Sequence, residues 1–165
     1  SLIYISIFEQ TNFSFDFIAI FIPFLFTFFF SFTEELGWRG FLFKSFSRRY
    51  SVFKSGFFIG LIWSIWHIPI LYFSVFESVG QFSNFLLGYF PTLILWSIIF
   101  SYLFEISKYN LLIVTVSHTF FTFTYNLSIP SINENFVASK ILPLLSSVMI
   151  LLFIKTFYQK KIAKK

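Results

Sequence analysis

The chain has 165 residues, of which 57% are hydrophobic, 25% aromatic and 12% charged, with a formal net charge of +5 and a mean hydropathy of +0.81. That is too apolar for a soluble domain of this length and points to a polytopic membrane protein. The cations lie beside apolar runs, as in segments that face anionic lipid, which argues against a nucleic-acid partner.

The absence of cysteine excludes disulfides, thiol nucleophiles and thiolate metal sites, so any metal would be held by His and carboxylate. A run of about 20 apolar residues is long enough to cross a hydrocarbon core of about 30 Å. In chain order such runs cover residues 15–32, 55–76, 85–104, 109–129 and 141–157. No period-two alternation competes with them, and backbone exposed to lipid must satisfy its own hydrogen bonds, so each is predicted to be a helix. Pro23, Pro69, Pro91 and Pro143 fall inside these runs, where membrane helices accept them as kinks. The 30 phenylalanines read as lipid-facing filler. The expected fold is therefore all-α, a transmembrane bundle of about five helices, forming one domain over residues 1–165. The chain starts with Ser and no basic segment precedes the first run, which predicts further helices upstream.

Charge places the loops. Lys44, Arg48, Arg49 and Lys54 lie between the first and second runs, Lys108 between the third and fourth, and Lys155, Lys160, Lys161, Lys164 and Lys165 at the end. By the excess of cations these faces are cytoplasmic, and the alternate loops, with Glu9, Asp16, Glu77, Glu134 and Lys140, lie opposite. The basic stretches serve as anchors to membrane lipids. No small-xxx-small seam is strong enough to predict an oligomer.

The candidate chemistry begins just past the first run, at Glu34 and Glu35, followed by Arg39. Glu35 and Arg39 stand at i and i+4, the favourable order for a helical ion pair, which leaves Glu34 without that partner. The two histidines, His67 and His118, both sit inside apolar runs. Ionisable groups in a membrane are costly unless paired, and so are functional candidates. Arg48 lies 14 residues past Glu34, His67 13 past Lys54 and His118 10 past Lys108. Along helices these spacings are about 21, 20 and 15 Å, which brings the three groups to similar depth. Glu34 is then a candidate general base or a metal ligand. Trp38, Trp63 and Trp66 read as packing or interface residues.

Glu34-Glu35-x-x-x-Arg39, Trp63-x-x-x-His67 and His118, in that order, resemble the CPBP intramembrane endopeptidases, which include type II CAAX prenyl proteases and bacteriocin-immunity and lysostaphin-resistance proteins. The resemblance implies that Glu34 and His67 activate a water, that His118 stabilises the oxyanion, and that Glu35 and Arg39 support them. The same three side chains could instead hold Zn²⁺ with a position open for water. Where that family carries Asn or Asp four residues after the last histidine, this chain has Thr122; Asn126 stands about 80° further round the helix. The resemblance further implies a peptide or membrane-protein substrate and a multi-pass protein of a bacterial plasma membrane. A non-catalytic immunity or scaffold protein retaining the fold is the alternative, motivated by Thr122. A proton-relaying transporter lacks support from any repeat or paired broken helices.

Overall fold

In the computed structural model, residues 17–75, 79–132 and 142–162 are described, with side-chain surroundings for 17–69, 87–125 and 144–161. Five helices account for most of them: α1 (Phe17–Phe46), α2 (Val52–Val75), α3 (Val79–Ile106), α4 (Leu111–Ile132) and α5 (Leu142–Ile162). Among the described residues there is no strand. Phe17–Phe46 and Leu87–Ile106 are each long and apolar enough to cross a membrane, and Leu111–Tyr125 is a shorter apolar helix. The expected all-α membrane bundle is therefore what the chain forms.

The first helix departs from the expected rod. It is α-helical over Phe17–Glu35, widens to a π-helix over Leu36–Phe43 and closes with an α turn at Lys44–Phe46. The apolar segment after the glutamates thus continues the helix instead of leaving the bundle. Such widened turns concentrate at functional sites.

The helix α3 is the hub. It packs most extensively on α2, also on α5, and touches α4, while α1 lies along α4. The core around it contains Ile59, Trp63, Leu93, Ile98, Ile99, Phe100, Phe104 and Val114. Two glycines permit the close approach of α2: a Cβ on Gly56 would lie 2.8 Å from the Ile98 Cα, and one on Gly60 2.8 Å from the Ile94 Cα. Edge contacts of Phe24 with Phe120 and Phe123, at centroid distances of 5.5 and 5.4 Å, hold α1 to α4.

The bundle is polar within and aromatic without. Phe26, Phe30, Phe41 and Phe153 are 63–76% exposed, whereas Ser55, Ser64, Ser97, Ser101, Thr115 and Thr119 are fully buried. Lipid tails offer no hydrophobic penalty to exposed phenylalanine, and small hydroxyl residues let helix backbones approach. Several hydroxyls are satisfied one turn back, Ser64 by Gly60 O at 2.7 Å, Ser101 by Ser97 O at 2.8 Å and Thr119 by Thr115 O at 2.8 Å. Phe43, Phe100 and Phe104 are exceptions to the filler reading: they are fully buried, and Phe43 and Phe104 pack edge to face at 5.7 Å.

A tight turn joins α3 to α4. Lys108 and Tyr109 take left-handed backbone angles, φ 59° and 63°, and the Tyr109 N–H closes on Phe104 O at 2.7 Å. The Asn110 side chain then accepts the Leu112 N–H at 3.0 Å and caps α4. At the same end Tyr158 donates to Glu105 at 2.9 Å and Lys161 to Ile106 O at 2.8 Å, which ties α5 to α3.

The glycine seam is directly testable. Gly60→Val forces backbone apart, since the added Cβ meets a Cα, and should cost about 1–3 kcal/mol. Gly37→Ala, with nothing within 4 Å of its Cβ, should leave stability unchanged or slightly raised. Thermal unfolding of the two variants in one detergent compares them.

Candidate active site

Glu34 and Glu35 are the last residues of the α-helical part of α1, immediately before the π-helical turn. Successive helical residues point about 100° apart, so the two carboxylates take separate partners. Glu35 is fully buried toward α4, and Glu34 is half-buried toward α2.

Glu35 Oε1 accepts two hydrogen bonds, from Arg39 Nη1 at 2.8 Å and from His118 Nδ1 at 2.8 Å. The expected i, i+4 ion pair is present and both partners are completely buried. Arg39 does more than neutralise it: Nη2 donates to both Ser97 O and Ser97 Oγ at 3.1 Å. Its guanidinium carbon also lies 5.2 Å from the Phe100 ring centroid and 5.8 Å from that of Trp63. One cation thus links α1, α2 and α3. Because the pairing engages a single carboxylate oxygen, Glu35 Oε2 and Arg39 Nε are buried with no hydrogen-bond partner among the described residues.

Glu34 has a different anchor. Its Oε2 accepts the Trp63 indole N–H at 2.8 Å. Trp63 O in turn lies 2.8 Å from His67 Nδ1. A carbonyl can only accept, so Nδ1 of His67 carries the proton and Nε2 the lone pair. The same logic applies to His118, whose Nδ1 faces the Glu35 carboxylate. A carboxylate that holds one imidazole nitrogen fixes the tautomer and the orientation of the ring, as in a catalytic dyad.

Aromatic rings complete the walls. Trp63 sits between the two histidines, at centroid distances of 5.4 Å from His67 and 5.1 Å from His118. Trp66 lies 5.1 Å and Tyr89 6.0 Å from His67, and Phe100 5.3 Å from His118.

Glu34, Glu35, Arg39, His67 and His118, which are scattered over 85 positions, are thereby drawn into one connected cluster. Thr122 is half-buried on α4, one turn beyond His118, and makes no hydrogen bond to a described residue. Asn126 lies on α4 with its side chain outside the described residues, as do Glu9, Asp16, Glu77, Glu134 and Lys140 altogether.

Sequence reading missed the polar role of Trp63. A signal existed: an indole N–H in apolar surroundings needs an acceptor, and Glu34 was the carboxylate with no partner. Ser97 and Phe100 carry no comparable cue, because their contact with Arg39 spans 58 residues or more of chain and depends on how α3 packs.

The tautomers of His67 and His118 suit metal ligation through Nε2, since a ligating imidazole commonly gives its other N–H to a carboxylate or carbonyl. The spacing does not: among the described residues no three His or carboxylate side chains are gathered closely enough to hold an ion. The described side chains of the cluster are joined to one another by hydrogen bonds.

Comparison with known proteins bears on this geometry. Residues 16–124, well over half of the chain, match the family described as type II CAAX prenyl endopeptidase Rce1-like. The chain is also 28% identical over 158 residues to CAAX prenyl protease 2 of Methanococcus maripaludis, an alignment that covers 92% of this chain. The chain spans 58% of the length of that curated relative. No solved structure matches it. The matched range covers most of the chain and contains Glu34 through His118; the chain belongs to the type II CAAX prenyl endopeptidase Rce1-like family.

Proposed function

We propose that this protein is an intramembrane endopeptidase that hydrolyses peptide bonds of membrane-associated peptides or proteins. The observation that carries the proposal is the linked set Glu34–Trp63–His67 and Glu35–His118 inside a lipid-facing bundle. The relative named as a CAAX prenyl protease makes prenylated C-terminal peptides the first substrate class to examine. The basic loops, by the excess of cations, face the cytoplasm, and cleavage occurs near that side.

Glu34 takes a proton from water as the water oxygen attacks the scissile carbonyl carbon. His67, with its Nε2 lone pair outward, accepts a hydrogen bond from the same water and aims it. The carbonyl π electrons move to oxygen, giving a tetrahedral oxyanion. His118, when both ring nitrogens carry a proton, donates Nε2–H to that oxyanion, while Glu35 holds Nδ1–H and fixes the ring. Collapse of the intermediate breaks the C–N bond, and Glu34 returns its proton to the leaving amine. Glu35 and Arg39 are support: their bond sets the position of His118 without touching the reacting atoms. Low dielectric strengthens each of these interactions.

A second reading, a non-catalytic immunity or scaffold protein, is favoured by Thr122, which replaces the Asn or Asp of the family one turn beyond His118 and makes no hydrogen bond to a described residue. Cellular protection that survives the double substitution Glu34→Ala and His67→Ala would support it over proteolysis.

The test is cleavage of prenylated and plain fluorogenic peptides by the protein in liposomes. Glu34→Gln should lower kcat by about 10²–10⁴ with little change in thermal stability, because the amide oxygen can still accept the Trp63 N–H. Wild-type cleavage by this variant would sink the proposal. Glu35→Gln should lose both activity and stability, by about 3–5 kcal/mol, because the charge of Arg39 is left buried without a counter-ion. A zinc chelator should leave the rate within about twofold, as water activation by Glu34 and His67 requires no metal. Loss of activity on chelation, restored by added zinc, would replace the water-activation scheme with metal chemistry.

A further inference from the structure

Four contacts from separate parts of the bundle meet at one residue. Trp63 donates its indole N–H to Glu34 Oε2 at 2.8 Å, and its main-chain carbonyl accepts from His67 Nδ1 at 2.8 Å. Its ring meets His118 at 5.1 Å and the Arg39 guanidinium at 5.8 Å. It is also among the largest fully buried side chains, only 1% exposed, so packing leaves the ring a single conformer.

We propose that Trp63 is the positioning residue of the site, holding the Glu34 carboxylate by one oxygen so that the other is presented to water. The inference rests on Glu34 acting as the base. The bond consumes Oε2, and Oε1 makes no hydrogen bond to a described residue. A carboxylate on a flexible side chain, only half-buried, would otherwise sample several rotamers. The neutral-to-anion N–H···O bond, shielded from water, is of the strong charge-assisted kind. A general base must bring its oxygen within about 2.6–3.2 Å of the proton donor, and an error of about 1 Å can cost a hundredfold in rate. Trp63 meets Glu34 through its indole N–H and His67 through its carbonyl and its ring, so it couples the placement of these two groups.

The experiment has a kinetic and a spectroscopic part. Trp63→Phe keeps an aromatic ring and removes the donor. In liposomes, kcat should fall about tenfold to a hundredfold while KM stays within about twofold, the split expected of a misplaced base and not of a lost substrate contact. In parallel, the indole ¹H–¹⁵N resonance of Trp63 is recorded in detergent, assigned by elimination with Trp38→Phe, Trp66→Phe and Trp96→Phe. It should move upfield in Glu34→Ala, which removes the acceptor. An indole resonance unmoved by Glu34→Ala overturns the proposal, even if Trp63→Phe fails to fold. So does a Trp63→Phe variant that turns over at the wild-type kcat. Cleavage by Glu34→Gln at the wild-type rate is a different failure: it removes Glu34 as base, while the indole measurement still reports whether the bond exists.

Discussion

The buried bond between Glu35 and Arg39 is the constraint on which the rest of the arrangement depends. Both groups are completely shielded from solvent in a chain built to sit in lipid. Neither could remain charged there alone, since an isolated ion in a low-dielectric interior is expensive. Together they form a neutral unit that still has hydrogen-bonding capacity to spend. Arg39 spends it on Ser97 of α3, and Glu35 on His118 of α4. Three helices are thus referred to a single ion pair. Arg39 lies within the widened π-helical stretch Leu36–Phe43, which Glu35 immediately precedes.

Around this pair the bundle inverts the familiar order of a soluble core. Hydroxyl residues and glycine occupy the contacts, large aromatics the periphery. In lipid this order is stable because exposed phenylalanine costs nothing and close backbone approach gains dispersion energy. It also explains why the site can contain so many polar atoms: Glu35, Arg39 and His118 are enclosed by the helices, and Glu34 and His67 are half-buried beside them.

Much of this was legible beforehand, for identifiable reasons. Helix positions followed from the length of apolar runs, because a membrane demands that length. The Glu35–Arg39 pair was legible because its i, i+4 spacing is local. Glu34, His67 and His118 were expected at similar depth from their distance to the nearest cations; in the fold Glu34 meets Trp63 and His118 meets Glu35. What was hidden depends on packing. The π-helical turn has no distinctive residue pattern, and LGWRGFLF reads equally well as α-helix. The separation of the two glutamates into different hydrogen-bond systems required knowing which helix lies on which side. The phenylalanines could not be divided into filler and core because apolar periodicity vanishes when both faces of a helix are apolar; Phe43 and Phe41 are two residues apart and lie at opposite extremes of exposure.

The short turn between α3 and α4 has a consequence for how this chain can vary. It is closed by the Tyr109 N–H and Asn110 side-chain bonds and sets the rotational phase of α4 against α3. His118 lies eight residues beyond that cap, too near for a helix to absorb a shift in phase by bending. One residue added or removed at the turn would rotate the imidazole by about 100°, away from Glu35. The lipid-facing surface of this protein can therefore drift freely in composition, while the length of a four-residue connection, 107–110, is held fixed by chemistry occurring two helical turns away.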